Sequence, residues 1–241
     1  MAQKHFLILI EIKNRQPTQP ILDNLIMNLS LEYKIREPKV ILDKNPVLIL
    51  LHGYGSNEAD LFSFASELQN EYYIISARAP YDLQYGSYAW YAINFDADQN
   101  KFSDNDQARI SRDVIAGFID ELVANYPIDA NNVNLIGFSQ GSILSYAVAL
   151  SYPEKVNKVV AMSGYLNLEI VSEDYLKNDL SKLKIFASHG TVDQVIPVEW
   201  ARKTPGILQK LGVAITYKEY PVGHGVAPQN FFDFKNWITE N

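Results

Sequence analysis

Residues 136–142 read Ile136-Gly137-Phe138-Ser139-Gln140-Gly141-Ser142. An apolar run, 133–136, leads into them, and the stretch 143–150 that follows is apolar nearly all round. The run has the character of a strand and the stretch that of a buried helix, so Ser139 stands on a sharp strand-to-helix turn. Glycines two residues to either side avoid the clashes that a Cβ would cause there. Strain of this kind costs on the order of 1–3 kcal/mol and persists mainly where the strained group is used.

Working outward, short β-branched and apolar runs alternate with longer segments of helical period, which predicts an α/β fold with a mostly parallel central sheet and helices on both faces. Strands are expected at 31–36, 47–51, 73–77, 133–138, 158–162, 184–188 and 215–220. Most are too apolar to face water on one side, as suits strands covered on both. Residues 109–126 place Ile110, Val114, Phe118, Leu122 and Tyr126 along one stripe, predicting an amphipathic surface helix. Further helices are expected at 58–69, 142–151, 199–211 and 229–239, with Pro205 kinking or dividing the fourth. The Asp- and Asn-rich stretch 94–107 reads as a solvated loop, since it lacks the Asp spacing and terminal Glu of a calcium loop. Residues 165–183 fit neither pattern and are expected to form a small cap over the sheet.

The bulk numbers narrow the function. At 241 residues and 47% hydrophobic content the chain can bury a large core, and one domain is the default expectation. Its net charge of -7 would repel a phosphate backbone, so nucleic acid is not an expected partner. The absence of cysteine removes thiolate catalysis, disulfides and cysteine metal sites and fits a reducing compartment. The apolar stretch 6–10 is too short to span a bilayer or to serve as a secretory signal, so a cytoplasmic location is expected.

A serine hydroxyl is a weak nucleophile at neutral pH; it needs a base, and a histidine base needs an acid to fix its tautomer. In this class of fold the chain order is serine, acid, histidine, each on a loop after a strand. "KIFASHGTVDQVIP" supplies Asp193 after one strand, and "ITYKEYPVGHGVAP" supplies His224 after the next, flanked by Gly223 and Gly225. The other histidines serve less well: His5 lies near the N-terminus, and His189 is expected to hydrogen-bond within the Asp193 turn. An oxyanion would need backbone N–H donors. The residue after the serine, Gln140, should give one, and Tyr54 in His52-Gly53-Tyr54-Gly55, after the strand 47–51, the other. That loop is not a dinucleotide fingerprint, because Glu58 stands where a third glycine is required and no acid follows the next strand. No histidine pair has metal-ligand spacing, and neither a metal nor a cofactor is expected.

With "LLHGYGSNEADLF", "GFSQGS", "GTVDQVIP" and "VGHG" in that order, the chain resembles the phospholipase/carboxylesterase family of α/β-hydrolases, which also holds the acyl-protein thioesterases. The likeness covers roughly residues 31–241. It implies an α/β-hydrolase fold, with Ser139 as nucleophile, Asp193 as orienting acid, His224 as base, and Tyr54 and Gln140 as oxyanion donors. It further implies that the segment after "ARAP" lines the acyl pocket, making Trp90 and Tyr91 candidate substrate contacts, although aromatics also simply pack domains. Ile196 is a further pocket candidate. Family members more often carry leucine in place of Tyr54 and glycine in place of Ser142, so this pocket wall is bulkier and more polar. Because Met27 precedes "NLSLEYKIREP", residues 1–26 are expected to be an extension and 27–241 the catalytic domain.

The reading is therefore a serine carboxylesterase acting on small esters, with a homodimer left open. Its rivals are an acyl-thioesterase or lysophospholipase with the same triad and, from another class, a catalytically silent hydrolase fold that binds a ligand.

Overall fold

The computed structural model describes residues 29–95 and 101–240, so the expectation about residues 1–26 lies outside the described residues. A seven-stranded sheet forms the frame. Its strands are β1 (Tyr33–Arg36), β2 (Asn45–Leu51), β3 (Tyr73–Ala77), β8 (Ile128–Phe138), β9 (Lys158–Met162), β10 (Lys184–Gly190) and β11 (Ala214–Tyr220), in the order β1-β3-β2-β8-β9-β10-β11. Only β1 runs antiparallel to its neighbour; the remaining pairs are parallel. Two short antiparallel pairs, β4 (Tyr81–Asp82) with β5 (Tyr88–Ala89) and β6 (Ile93–Phe95) with β7 (Lys101–Ser103), lie between β3 and the first long helix.

Alternation along the strands explains the two cores. In β2, Val47, Ile49 and Leu51 face one cluster and Leu48 and Leu50 the other, as a period of two requires. The first cluster packs under helices α1 (Asn105–Asn125) and α2 (Gln140–Ser151); the second packs under α5 (Pro228–Glu240), through Phe234, Trp237 and Ile238. Every residue of α2 is buried, which accounts for its lack of a polar face.

Two helical expectations needed correction, while the division expected at Pro205 is present. The long helix begins at Asn105, not at 109, because Asp104 caps it by accepting from the Gln107 N–H at 3.0 Å and Asp106 favours the first turn. The acidic stretch 94–107 is thus partly strand, partly helix start, with residues 96–100 outside the described residues. Its buried face runs through Ala108, Ser111, Ile115, Phe118 and Leu122, leaving Ile110 exposed, so the apolar stripe is rotated from the one expected. Residues 58–69 form only a 3₁₀ turn, Leu61–Phe64. A side chain competes for the backbone there, Asn57 accepting from the Ala59 N–H, while Asp60 accepts from Ser56 Oγ beside it. The expected helix at 199–211 is divided, into α3 (Val198–Ala201) and α4 (Thr204–Lys210), with Pro205 in the first turn of the second.

Candidate active site

The serine elbow follows from local crowding. Ser139 sits between β8 and α2 at φ 53° and ψ -115°, a left-handed conformation for a residue with a side chain. A Cβ on Gly137 would lie 2.4 Å from the Gly141 carbonyl oxygen, and one on Gly141 2.0 Å from the Leu51 carbonyl oxygen. Both neighbours are main chain and cannot step aside. Gly141→Ala is therefore expected to destabilise the protein by about 3 kcal/mol or more, read as a lowered denaturant midpoint; a midpoint equal to wild type would contradict the elbow geometry. From below, the Ser139 N–H donates to the Met162 carbonyl at the end of β9, 2.9 Å away.

The acid comes from the turn after β10. Asp193 Oδ1 accepts from the N–H groups of Val195 (2.8 Å) and Ile196 (2.9 Å), and Oδ2 accepts from His224 Nδ1 at 2.7 Å. Burial pushes the carboxyl up, but the hydrogen bonds from His224 and from those two backbone groups outweigh it, and the net position is below the usual carboxylate value. His189 braces the same turn: its Nε2 lies 2.9 Å from the Ile196 carbonyl and 3.3 Å from Asp193 Oδ2.

His224 completes the chain. Its Nε2 lies 2.9 Å from Ser139 Oγ, and its ring packs against Phe138 with centroids 5.0 Å apart. These partners fix the proton on Nδ1 and leave Nε2 bare to accept from the serine. The flanking Gly223 and Gly225 are not sterically required, since an added Cβ would meet nothing closer than 3.9 Å. The tight approach is at Gly190, where a Cβ would lie 2.2 Å from the Gly223 carbonyl oxygen.

Tyr54 and Gln140, the two residues expected to donate, both line the cavity beside Ser139. Gln140 opens α2, so its N–H has no intrahelical acceptor. Tyr54 lines the same cavity as Ser139 and His224, while the next N–H, of Gly55, is already committed to the Tyr88 carbonyl at 2.9 Å. Arg78 holds this loop from outside, donating through Nε to Glu58 Oε2 (2.7 Å) and through its second terminal nitrogen to Oε1 (2.9 Å). These bonds pull the Glu58 carboxyl from 4.5 down to about 2, against its burial. A carboxyl depressed in this way adds stability that is complete above its unfolded value and is lost as pH falls through the folded one. Glu58→Gln should therefore lower Tm at neutral pH and flatten the loss of Tm between about pH 4.5 and 2; parallel acid limbs for variant and wild type would refute the pairing.

A cavity of about 660 Å³ opens beside the serine. Tyr91 and Ile196 line it, together with Ile143, Leu166, Trp200 and Ile207. Trp90 does not: it is fully buried, and its indole Nε1 donates to the His52 carbonyl at 2.9 Å, so it belongs to the frame rather than to the pocket wall. Tyr165, Leu166, Asn167 and Glu169 bring the segment expected to be a cap into the wall. That segment and α3–α4 follow parallel strands at their C-terminal ends, the position where open α/β sheets bind ligands, and this was the signal available for them. Ser142, in place of the family's glycine, points its buried Oγ at Gly164, where a Cβ would come within 2.5 Å of it. Among the described residues no group of three or more acidic or histidine side chains is arranged to hold a metal, and no helix is long and apolar enough to cross a membrane.

A mostly parallel sheet flanked by helices, with a serine on an elbow after a central strand and an acid and a histidine on later strand ends, defines an α/β-hydrolase. The sequence profile of the phospholipase/carboxylesterase family matches residues 35–241, and the chain belongs to that family. A probable carboxylesterase of Oryza sativa subsp. japonica is 30% identical over 128 residues, 53% of this chain and 48% of the relative, so the chain spans about half the length of that relative. Acyl-protein thioesterase 1 of Debaryomyces hansenii is 28% identical over 63% of this chain and 66% of its own length. The Bacillus cereus carboxylesterase shares the fold, with a TM-score of 0.77 at 21% identity, covering 88% of this chain and 95% of that one.

Proposed function

We propose that the protein is a serine carboxylesterase that hydrolyses small carboxylic esters through an acyl-enzyme. The observation that carries this reading is the relay Ser139 Oγ to His224 Nε2 (2.9 Å) and His224 Nδ1 to Asp193 Oδ2 (2.7 Å), opening on a cavity. His224 Nε2 takes the Ser139 proton as Oγ attacks the ester carbonyl carbon, and the N–H groups of Tyr54 and Gln140 meet the resulting oxyanion. The carbon–oxygen bond to the alcohol then breaks, with the proton passing from His224 to the leaving alkoxide. Water, deprotonated by His224, attacks the acyl-enzyme, and collapse releases the acid and returns the proton to Ser139.

Tyr54 and Tyr91 bring bulk and polarity to a wall where a long saturated chain would prefer aliphatic surface, which supports short acyl groups. With p-nitrophenyl esters, kcat/KM should peak at acetate to hexanoate and fall with longer chains. The acyl-thioesterase reading is supported by the Debaryomyces relative and by a cavity large enough for more than a short acyl group. A higher kcat/KM on a palmitoyl thioester than on any short ester would favour it. Covalent labelling by a fluorophosphonate separates both from a silent ligand-binding fold, which would not react.

A further inference from the structure

Resting on the oxyanion roles just proposed, we infer that Trp90 is a positioning residue that fixes the two backbone N–H donors relative to each other. The donors stand on separate pieces of chain, Tyr54 on the loop after β2 and Gln140 at the start of α2. The two pieces touch where Gly141 packs on the Leu51 and His52 carbonyls, which sets their coarse spacing; the direction of each N–H is left to be held, and misplacement by about 1 Å would cost on the order of 100-fold in rate.

Trp90 bonds to both pieces. Its indole Nε1–H donates to the His52 carbonyl at 2.9 Å, and its main-chain N–H donates to Gln140 Oε1 at 2.9 Å. The Gln140 amide returns a hydrogen bond, from Nε2 to the Tyr91 carbonyl at 2.7 Å, so its side chain is gripped on both ends by consecutive residues of one strand-like segment. The Trp90 carbonyl accepts in turn from Ser111 Oγ on α1, which ties the brace to the core. No atom of Trp90 reaches the cavity wall, so its effect must pass through the groups it holds.

On the loop side the hold is transmitted by His52. Its Nδ1 lies 2.7 Å from the Gly53 carbonyl oxygen, and its Nε2 accepts from the Ala79 N–H at 3.1 Å, which puts the proton on Nδ1 and makes it the donor to Gly53. Burial pushes this imidazole below its ordinary pKa and keeps it neutral for that task. The Gly53 carbonyl and the Tyr54 N–H belong to one planar trans peptide, so fixing the oxygen fixes the direction in which the N–H points. The indole also rests against the His52 ring, with centroids 5.6 Å apart.

Trp90→Phe keeps an aromatic ring but removes the indole donor and leaves a small cavity at a fully buried position. Its kcat on a short p-nitrophenyl ester should fall about 10- to 100-fold with KM changed less than about twofold. Affinity for a trifluoromethyl ketone should fall in parallel, because Ser139 Oγ adds to its carbonyl carbon, the serine proton passes to His224, and the adduct's oxyanion sits on the two donors. Affinity for the matching methyl ketone, bound as the unreacted ketone, should not change. Ser111→Ala, which leaves the indole in place, should show the same pattern at about fivefold and decides the matter if Trp90→Phe does not fold. A lowered Tm with wild-type kcat and ketone affinity in these variants would make Trp90 purely a packing residue and overturn the inference, leaving the esterase reading intact if wild type still labels at Ser139. Wild type that neither labels nor turns over would overturn both.

Discussion

Replacing Ser139 by alanine is expected to lower kcat on a short ester by about four to six orders of magnitude while leaving the unfolding midpoint nearly unchanged. In the proposed mechanism the Ser139 hydroxyl forms the acyl-enzyme, so its loss removes both chemical steps. What turnover remains would come from the two N–H donors and substrate binding, which alone supply about 10³- to 10⁴-fold over water. The backbone strain at φ 53° is borne equally by alanine, since both residues carry a Cβ, and the Ser139 N–H bond to Met162 stays. Steady-state kinetics with denaturant unfolding as the control would test this. A variant that keeps even a hundredth of wild-type turnover would remove Ser139 from the mechanism.

Asp193→Asn should lower kcat by about 10⁴-fold, and the surroundings of this carboxylate say why. Its Oδ1 accepts from two backbone N–H groups, Val195 and Ile196. An asparagine must keep its oxygen there, because turning the NH₂ toward those donors would set donor against donor. The NH₂ is thereby forced to the place of Oδ2, facing His224 Nδ1. Imidazole can meet a donor only with a bare Nδ1, which moves its proton to Nε2 and leaves it unable to take the proton of Ser139. The variant's fold should be intact. Turnover within tenfold of wild type would show that this carboxylate does not set the tautomer.

Much of this was legible in the chain, and the reasons are physical. The central strands were readable because they are apolar, β-branched-rich runs buried on both faces, whereas β1 (Tyr33–Arg36) and β11 (Ala214–Tyr220) at the sheet edges are only partly buried and more polar. Ser139, Asp193 and His224 were readable because the chemistry fixes their order on successive strand ends, and the structure brings their side chains within hydrogen-bond distance. A helix over 58–69 does not form because Asn57 takes the Ala59 N–H, a competition that periodicity does not register. The crowding beside His224 is between Gly190 and the carbonyl of Gly223, a contact between strand end and loop that no local pattern encodes. Pattern leaves Trp90 open between pocket and core, because an aromatic near a pocket-forming segment reads the same whether its ring faces the cavity or the interior.

The site draws on the ends of β2, β8, β10 and β11, so its partners are remote in the chain: 85 residues separate Ser139 from His224, 50 separate Trp90 from Gln140 and 38 separate Trp90 from His52. Contacts of such sequence separation are closed only after much loop entropy has been lost, which places them late in assembly. A chain that has collapsed, and even paired several strands, holds every one of these residues and none of the site. On the proposed mechanism, recovery of turnover during refolding should therefore lag behind recovery of secondary structure.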